Sequence, residues 1–492
     1  MNTSMIRKIL GQVLMSEAVF MLIPCLVSLI YREDEGFAYL IVAVAAGFCG
    51  FLLNFKKPGN SNIYFKDGLV ATGLSWIAMT IFGSLPFYIT QEIPSLIDCM
   101  FETASGLSTT GSSILTNVEA MSHTALMWRS LTHFIGGMGV LVFLLAILPS
   151  SGGSTINLMR AESPGPSVGK VVPKISQTAR LLYTIYISLT ILEFILLAAG
   201  GMPVFDSICH SFGTAGTGGF GIKNDSFMSY SPYCQYVTAV FMCLFATNFN
   251  FYSFILLRQF RKAFGIEEVI AFCCVIIASV ATVAINIFPQ TGSIEWAFRQ
   301  SFFTVSSIIS TTGFANVDFD KWPMVSKFII VLLMFIGACA GSTGGGIKIS
   351  RIHILAKTIG KSLKGFFHPN NVKKIQMDGK PIEHEVIRSV NVFFATFMAV
   401  FTISVFFISF ENLDPVTTFT SVAATINNIG PGLAGVGPTS NFAGFSDFSK
   451  IIFIFDMLAG RLELFPLLVF ISPDFYKALA GSAKTKIKKL RN

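Results

Sequence analysis

An all-α polytopic membrane protein is predicted, built from four pseudo-symmetric helix–pore loop–helix units around a central pore, with an extra N-terminal helix pair. Two observations carry this. The 492-residue chain is 52% hydrophobic and only 13% charged, where a soluble domain carries about 25% charge. Its many apolar runs approach the roughly 20 residues that span a bilayer as helix. Second, four short segments end alike: Ser108-Thr109-Thr110-Gly111, Gly216-Thr217-Gly218-Gly219, Ser310-Thr311-Thr312-Gly313 and Asn427-Asn428-Ile429-Gly430. Their last glycines lie 108, 94 and 117 residues apart (111 to 219, 219 to 313, 313 to 430). Each lies between two long apolar runs, so one unit is used four times.

The elements follow in order. Residues 8–30 read as the first helix. Arg7 and Lys8 precede it, but Gln12, Ser16 and Glu17 interrupt the apolar run and no small-residue cleavage site follows, so it reads as a retained span. It pairs with 37–54 across the acidic turn 31–36, and residues 1–66 form this N-terminal pair, with a basic linker over 55–68. The first pore unit, 67–150, has helices at 69–90, 97–107 and 124–148. The second, 151–262, begins with a basic cytoplasmic loop (150–180) and has helices at 181–200, 204–215 and 234–258. The third, 263–352, has helices at 267–288, 294–309 and 325–350. A basic cytoplasmic loop over 351–385, with 353–384 as its own segment, precedes the fourth unit and basic tail, 385–492, with helices at 386–409, 415–426 and 449–472. The middle helix of each unit is too short and too polar to span. Ser105, Ser108, Ser211, Thr214, Ser306, Ser307 and Thr425 would be costly facing lipid. Irregular backbone at membrane depth is tolerated only where protein or water covers it, so these segments line an aqueous path.

The net charge of +8 follows topology. Lys and Arg gather at 7–8, 56–66, 160–180, 258–262, 348–388 and from 477 onward, while Glu33-Asp34-Glu35 and Asp318 with Asp320 lie on the other side. The positive-inside rule then puts both termini in the cytoplasm, and nucleic acid is not an expected partner. The nine cysteines are scattered without a CxxC pair and read as small apolar packers. The six histidines show no HExxH or paired spacing, which argues against a catalytic metal.

Four small, backbone-rich loops converging on an axis suit a cation filter, because carbonyl oxygens must replace the ion's water and glycine lets the backbone turn them inward. The short helices would aim their C-terminal, partly negative ends at the centre. Any single glycine could be a packing or turn residue; four in register, each after a re-entrant segment, argue otherwise. Two further features suggest control. Gly337, Gly341, Gly344, Gly345 and Gly346 crowd ten residues of the third unit's last helix, and each costs about 1 kcal/mol in a helix, so that helix should break. Close helix packing is the competing reading. A nucleotide loop is a poor match, because Lys348 falls one residue late for GxxxxGK and no Ser/Thr follows in place. Arg461 lies within an apolar helix near Asp456 and Glu463, and a cation there is either functional or part of a structural ion pair.

These residues resemble the Trk/Ktr/HKT superfamily of potassium transporters, TrkH/TrkG branch. The likeness runs through Trp128-Arg129, Ile135-Gly-Gly-Met-Gly-Val140, Ala146-Ile-Leu-Pro149, Arg160-Ala-Glu-Ser-Pro-Gly-Pro166, Pro173 and Thr178-Ala-Arg180. It continues through Gly341-Ser-Thr-Gly-Gly-Gly346 and Ile426-Asn-Asn-Ile-Gly-Pro-Gly432. It covers essentially the whole chain, including the N-terminal pair that separates the TrkH branch from the shorter KtrB branch. The resemblance implies a potassium-binding filter at Thr109, Thr110, Gly111, Thr217, Gly218, Gly219, Thr311, Thr312, Gly313, Asn428, Ile429 and Gly430. Serine in the first loop of some plant relatives goes with sodium permeation, so four glycines imply potassium. The preference should be weaker than in a strict potassium channel, whose filter stacks several carbonyl rings. The resemblance further implies an intramembrane gate at Gly341, Ser342, Thr343, Gly344, Gly345 and Gly346, with Arg461 below the filter repelling cations and holding that loop. Lys348 and Arg351 are placed to relay a partner's signal. It also implies a homodimer in the bacterial inner membrane and a cytosolic TrkA-type ring binding ATP/ADP or NAD(H). Potassium is then the transported ion, and no organic cofactor binds this chain. A polytopic membrane enzyme is the rival class, but Asp98, Glu102, Asp206 and His210 show no repeated catalytic spacing; rubidium uptake in potassium-starved cells separates the two.

Overall fold

The computed structural model describes residues 1–56, 62–139, 175–368 and 374–477. The basic loop at 150–174, the 140–148 end of the first inner helix, the motifs at 146–149, 160–166 and 173, and the tail from 478 lie outside the described residues. Helices α1 (Thr3–Tyr31) and α2 (Gly36–Asn54) form a tight antiparallel pair. Gly11 and Gly50 face each other so closely that a Cβ on either would press on the other's carbonyl oxygen, the small-residue contact that lets membrane helices approach.

Four units follow. The first has α3 (Phe65–Ile89), α4 (Leu96–Leu107) and α5 (His123–Met138). The second has α6 (Ile175–Ala199), α7 (Val204–Gly216) and a bent pair, α8 (Pro232–Ala246) with α9 (Phe249–Leu256). The third has α10 (Glu267–Thr291), α11 (Ile294–Ile309), α12 (Met324–Ile336) and α13 (Ile349–Phe367). After a small hairpin of β1 (Gln376–Met377) and β2 (Lys380–Pro381), the fourth has α14 (His384–Ile408), α15 (Pro415–Ile426) and α16 (Asp447–Arg461). Among the described residues, six helices are long and apolar enough to cross a membrane, or seven if the bent pair counts as one span. They are α1, α2 and essentially α3, α6, α10 and α14, the outer helices. Their outward faces carry exposed Leu29, Ile30, Val44, Ile277, Ile285 and Phe406, as lipid requires.

Side-chain caps start the short helices where the polar residues stand. Ser95, Ser293 and Asp414 accept backbone N–H groups at the starts of α4, α11 and α15, and Ser122, Ser231 and Ser446 do so for α5, α8 and α16, each worth about 1 kcal/mol. The packing is cyclic. Each outer helix lies on its own short helix, and the helix after each loop packs on the next unit's short helix: α5 on α7, α8 on α11, α12 on α15, and α16 back on α4. That order closes a ring.

The structure departs from the sequence expectation at the inner helices. A break was expected only in the third unit. The helix expected over 234–258 bends by 90° between α8 and α9, where Thr247 is extended and the Asn248 side chain caps Asn250 N–H. The helix expected over 449–472 ends at Arg461 because Glu463 and Leu464 take positive φ (58° and 69°) and Pro466 follows. Helix α5 stops at Gly139, whose φ is +75°. The segment 351–385, expected as loop, is mostly the amphipathic α13 and the β1–β2 hairpin, and residues 175–180, also expected as loop, open α6.

Candidate functional site

Helices α4, α7, α11 and α15 all point their C-termini at one place and end in the same turn. The residue two before each repeated glycine is left-handed: Thr109 (φ +58°), Thr217 (+55°), Thr311 (+58°) and Asn428 (+56°). The glycines follow at +82°, +80°, +86° and +100°. The first of these is strained for a β-branched residue, and the glycine relieves the second. The four loops meet. A Cβ on Gly111 would lie under 3.0 Å from the carbonyl oxygen of Gly218, one on Gly219 from that of Thr312, one on Gly313 from that of Ile429, and one on Gly430 from that of Thr110. Each glycine therefore abuts the carbonyl preceding the next loop's glycine, and the cycle returns to its start. The twelve loop residues expected to form the filter are brought together in this ring.

Their side chains turn away to hold it. Thr110 and Ser108 share a hydrogen bond of 2.7 Å, as do Thr312 and Ser310. Asn428 Nδ2 donates to Thr110 Oγ1 (2.9 Å) and to Met457 O (2.8 Å), and Ser112 Oγ donates to Gly430 O (3.1 Å), which fastens the fourth loop to the first. The double glycine of the second loop has a steric cause: a Cβ on Gly218 would enter the His133 ring.

The glycine-rich segment after α12 lies against the short-helix ends behind this ring. Gly345 N–H donates to Thr311 Oγ1 (2.6 Å), and Cβ atoms on Gly344 or Gly345 would press on Ser310 O or Asn427 O. The segment is tethered from the other side too. Cys339 N–H donates to Ala246 O (3.0 Å), Thr343 Oγ1 to Phe245 O (3.1 Å), Phe249 N–H to Gly341 O (3.1 Å), and Ala340 N–H to Glu268 Oε1 (2.6 Å). The bend between α8 and α9 is what receives it. Ser342 Oγ donates to Cys339 O (2.6 Å) and Gly346 takes φ +78°. Lys348, buried, donates back to Gly344 O.

Arg461, at the end of α16, reaches two other units at once. Its Nη1 donates to Thr343 O (2.6 Å), and its Nη2 to Gly136 O and Gly137 O (2.5 Å each). The glycines at 136 and 137 themselves press against Leu107 O and Gly216, at the ends of the first two short helices. Glu463 instead pairs with Arg351 (2.6 Å), and Asp456 accepts from Ser404 (2.7 Å).

The acids and histidine considered for an enzyme are committed elsewhere. Glu102 pairs with Arg129 (2.7 Å), Asp98 with Lys450 (2.6 Å), Asp206 accepts from Tyr230 (2.7 Å), and the His210 ring lies edge-on to Phe314. Sequence reading missed Asn248, Glu268 and His133 as supports. Asn248 Nδ2 donates to Glu268 Oε2 (3.0 Å), so these two brace the glycine-rich segment together. Asn and Glu inside apolar runs were the available signal.

Comparisons with known proteins give the family. The family model for TrkH, a cation transport protein, matches residues 36–477. The chain belongs to the TrkH family. It is 35% identical over 495 residues to the Trk system potassium uptake protein TrkH of Escherichia coli, covering 97% of this chain and 100% of that one. It is 33% identical to TrkG of the same organism, over 97% of this chain and 100% of that protein. The crystal structure of the potassium transporter TrkH from Vibrio parahaemolyticus superposes with a TM-score of 0.86 at 31% identity, covering 97% of this chain and all of that one. A TrkH-family chain with these helices is an all-α, multi-pass membrane protein and a transporter, not an enzyme.

Proposed function

We propose that this chain takes up potassium ions across the bacterial inner membrane through the ring of four loops. The observation that carries the reading is the closed cycle in which each loop's glycine abuts a carbonyl of the next loop. Such a ring offers backbone oxygens to a dehydrated cation, and four converging helix C-termini add partial negative charge. Glycine at all four positions favours potassium over sodium. The names of the relatives, which are potassium uptake proteins, support the choice of ion.

The segment 341–346, lying on the inner side of the ring, is the gate, and Arg461 is its latch and an electrostatic barrier. A guanidinium there opposes an entering cation and must lose its contacts with Thr343 before the segment can swing aside. In this reading the chain works as a homodimer with both termini cytoplasmic, under a cytosolic nucleotide-binding ring of TrkA type that acts through Lys348 and Arg351. The membrane potential supplies about 2.3 kcal/mol per charge per 100 mV for accumulation. Rubidium and sodium tracer flux into proteoliposomes, with and without the ring, is the test. Selective rubidium uptake is expected; absence of uptake of either ion by well-folded protein under both conditions would overturn the reading.

A further inference from the structure

One face of α5 runs along the back of the first two loops. Arg129 and His133 stand one helical turn apart on it (positions i and i+4), with Gly136 and Gly137 a turn further on. Arg129 pairs with Glu102 of α4 (Nη2–Oε1 2.7 Å, Nε–Oε1 2.8 Å), and both side chains are almost wholly buried. Glu102 also accepts from Ser113 Oγ (2.9 Å) and from Ile114 N–H (3.0 Å), the residues just past the first loop. The other arm of Arg129 reaches Gly221 O (3.2 Å), just past the second loop. His133 Nδ1 lies 2.8 Å from Gly106 O, which assigns the proton to Nδ1, and its Nε2 then accepts from Phe220 N–H (3.1 Å).

Phe220, next after Gly219, is in contact with both side chains. The Arg129 guanidinium stands 4.0 Å from its ring centre and the His133 ring 4.3 Å. The matching Phe314 of the third loop sits instead in an aromatic cluster with Phe227 (4.7 Å) and His210 (5.4 Å). The polar grip is therefore not what packing a phenylalanine behind a loop requires. A buried ion pair is also a poor way to gain stability alone, since apolar replacements often match it. What it does supply is direction: charge-assisted hydrogen bonds that fix the flanks of two loops.

We propose that Glu102, Arg129 and His133 are positioning residues for the filter, holding the first and second loops in register so that their carbonyls discriminate potassium from sodium. The inference rests on the filter reading above. Three variants separate the contacts. Arg129→Lys keeps the charge opposite Glu102 and loses the arm to Gly221. His133→Asn keeps a donor for Gly106 and loses the acceptor for Phe220. His133→Gln places an acceptor near the Nε2 position instead.

The readout is the rubidium-to-sodium flux ratio in proteoliposomes, with monodispersity of the purified protein as the check on folding. Arg129→Lys and His133→Asn should each lower the ratio about fivefold, the scale of one lost hydrogen bond. His133→Gln should lie nearer the wild type than His133→Asn. Ratios within twofold of wild type in folded Arg129→Lys and His133→Asn would overturn the proposal. So would failure of all three variants to fold, which would make the cluster a folding element. A wild-type protein passing neither ion would sink the filter reading itself, an outcome visible before any variant is measured.

Discussion

At the residue scale, glycine in the four loops answers two constraints at once. Gly219 has φ +80° and its missing Cβ would meet Thr312 O. Adding a methyl there combines left-handed strain of about 1–2 kcal/mol with a collision against backbone that has no freedom to move. Gly219→Ala is expected to cut rubidium uptake at least about tenfold at matched protein level, since 1.4 kcal/mol already corresponds to tenfold; uptake equal to wild type would show that the ring tolerates displacement. Arg461 yields a prediction of opposite sign. Arg461→Ala removes three hydrogen bonds to backbone carbonyls of the first and third units and, on the proposed function, should raise basal uptake without the regulatory ring. Arg461→Lys should fall between, because an ammonium lacks the fork that reaches Thr343 and the two glycines together. Unchanged basal flux in Arg461→Ala would remove it from the gate.

At the element scale, the N-terminal pair is docked through a cap. Glu33, in the turn between α1 and α2, accepts Thr124 N–H (2.9 Å), Thr124 Oγ1 (2.7 Å) and His123 N–H (2.8 Å) at the start of α5. Burial alone would raise the Glu33 pKa, but the hydrogen bonds from Thr124 and His123 outweigh it and hold it below the usual carboxylate range. A depressed pKa means that this stabilisation is fully present above the ordinary glutamate value of about 4.3 and is lost as pH falls through the folded-state value. Glu33→Gln should therefore lower the thermal stability of the solubilised protein at neutral pH by about 1 kcal/mol. It should also flatten the decline on acidification, as thermal melts across that range would record. An identical pH dependence in both proteins would show that other carboxylates govern it.

The same scale shows where sequence patterning ran out. The short helices were legible almost to the residue, because Ser, Pro or Asp marks their starts and glycine-bearing loops mark their ends. The outer helices were legible as long apolar runs. The glycine-rich break in the third unit was legible too, but the breaks in the second and fourth units' inner helices were not. Thr247-Asn248 carries no strong local breaker, and a polar pair inside an apolar run is compatible with a continuous helix; Pro466 was the local signal in the fourth unit, five residues past the helix end. What bends the chain there is tertiary: the glycine-rich segment needs carbonyls from Phe245 and Ala246, and Arg461 must end its helix beneath the ring.

At the scale of the whole molecule, the four units share one backbone plan and differ in how the loops are held. A polar grip from α5 supports the second loop, an aromatic cluster the third, and Asn428 ties the fourth to the first. The glycine-rich segment and Arg461, proposed as the gate, belong to the third and fourth units, with the bend of the second receiving the segment. Orientation is a property of this scale as well. Single cysteines at Lys321 and Arg261 in a cysteine-free background should react with membrane-impermeant thiol reagents from opposite sides, Lys321→Cys from outside and Arg261→Cys only after the inner face is opened. Labelling of both from outside would contradict cytoplasmic termini.

By itself the sequence determined the membrane class, the count of repeated helix–loop–helix units, the loop glycines and the helix that must break. Those are local matters: hydropathy over twenty residues, glycine's backbone freedom and the cost of polar groups in lipid act within a short stretch of chain. The tertiary structure decided which carbonyl faces which glycine, why the second loop needs two glycines, and that Arg461 grips backbone from two other units. Those depend on atoms more than eighty residues apart in the chain, brought together only when α16 closes the ring onto α4.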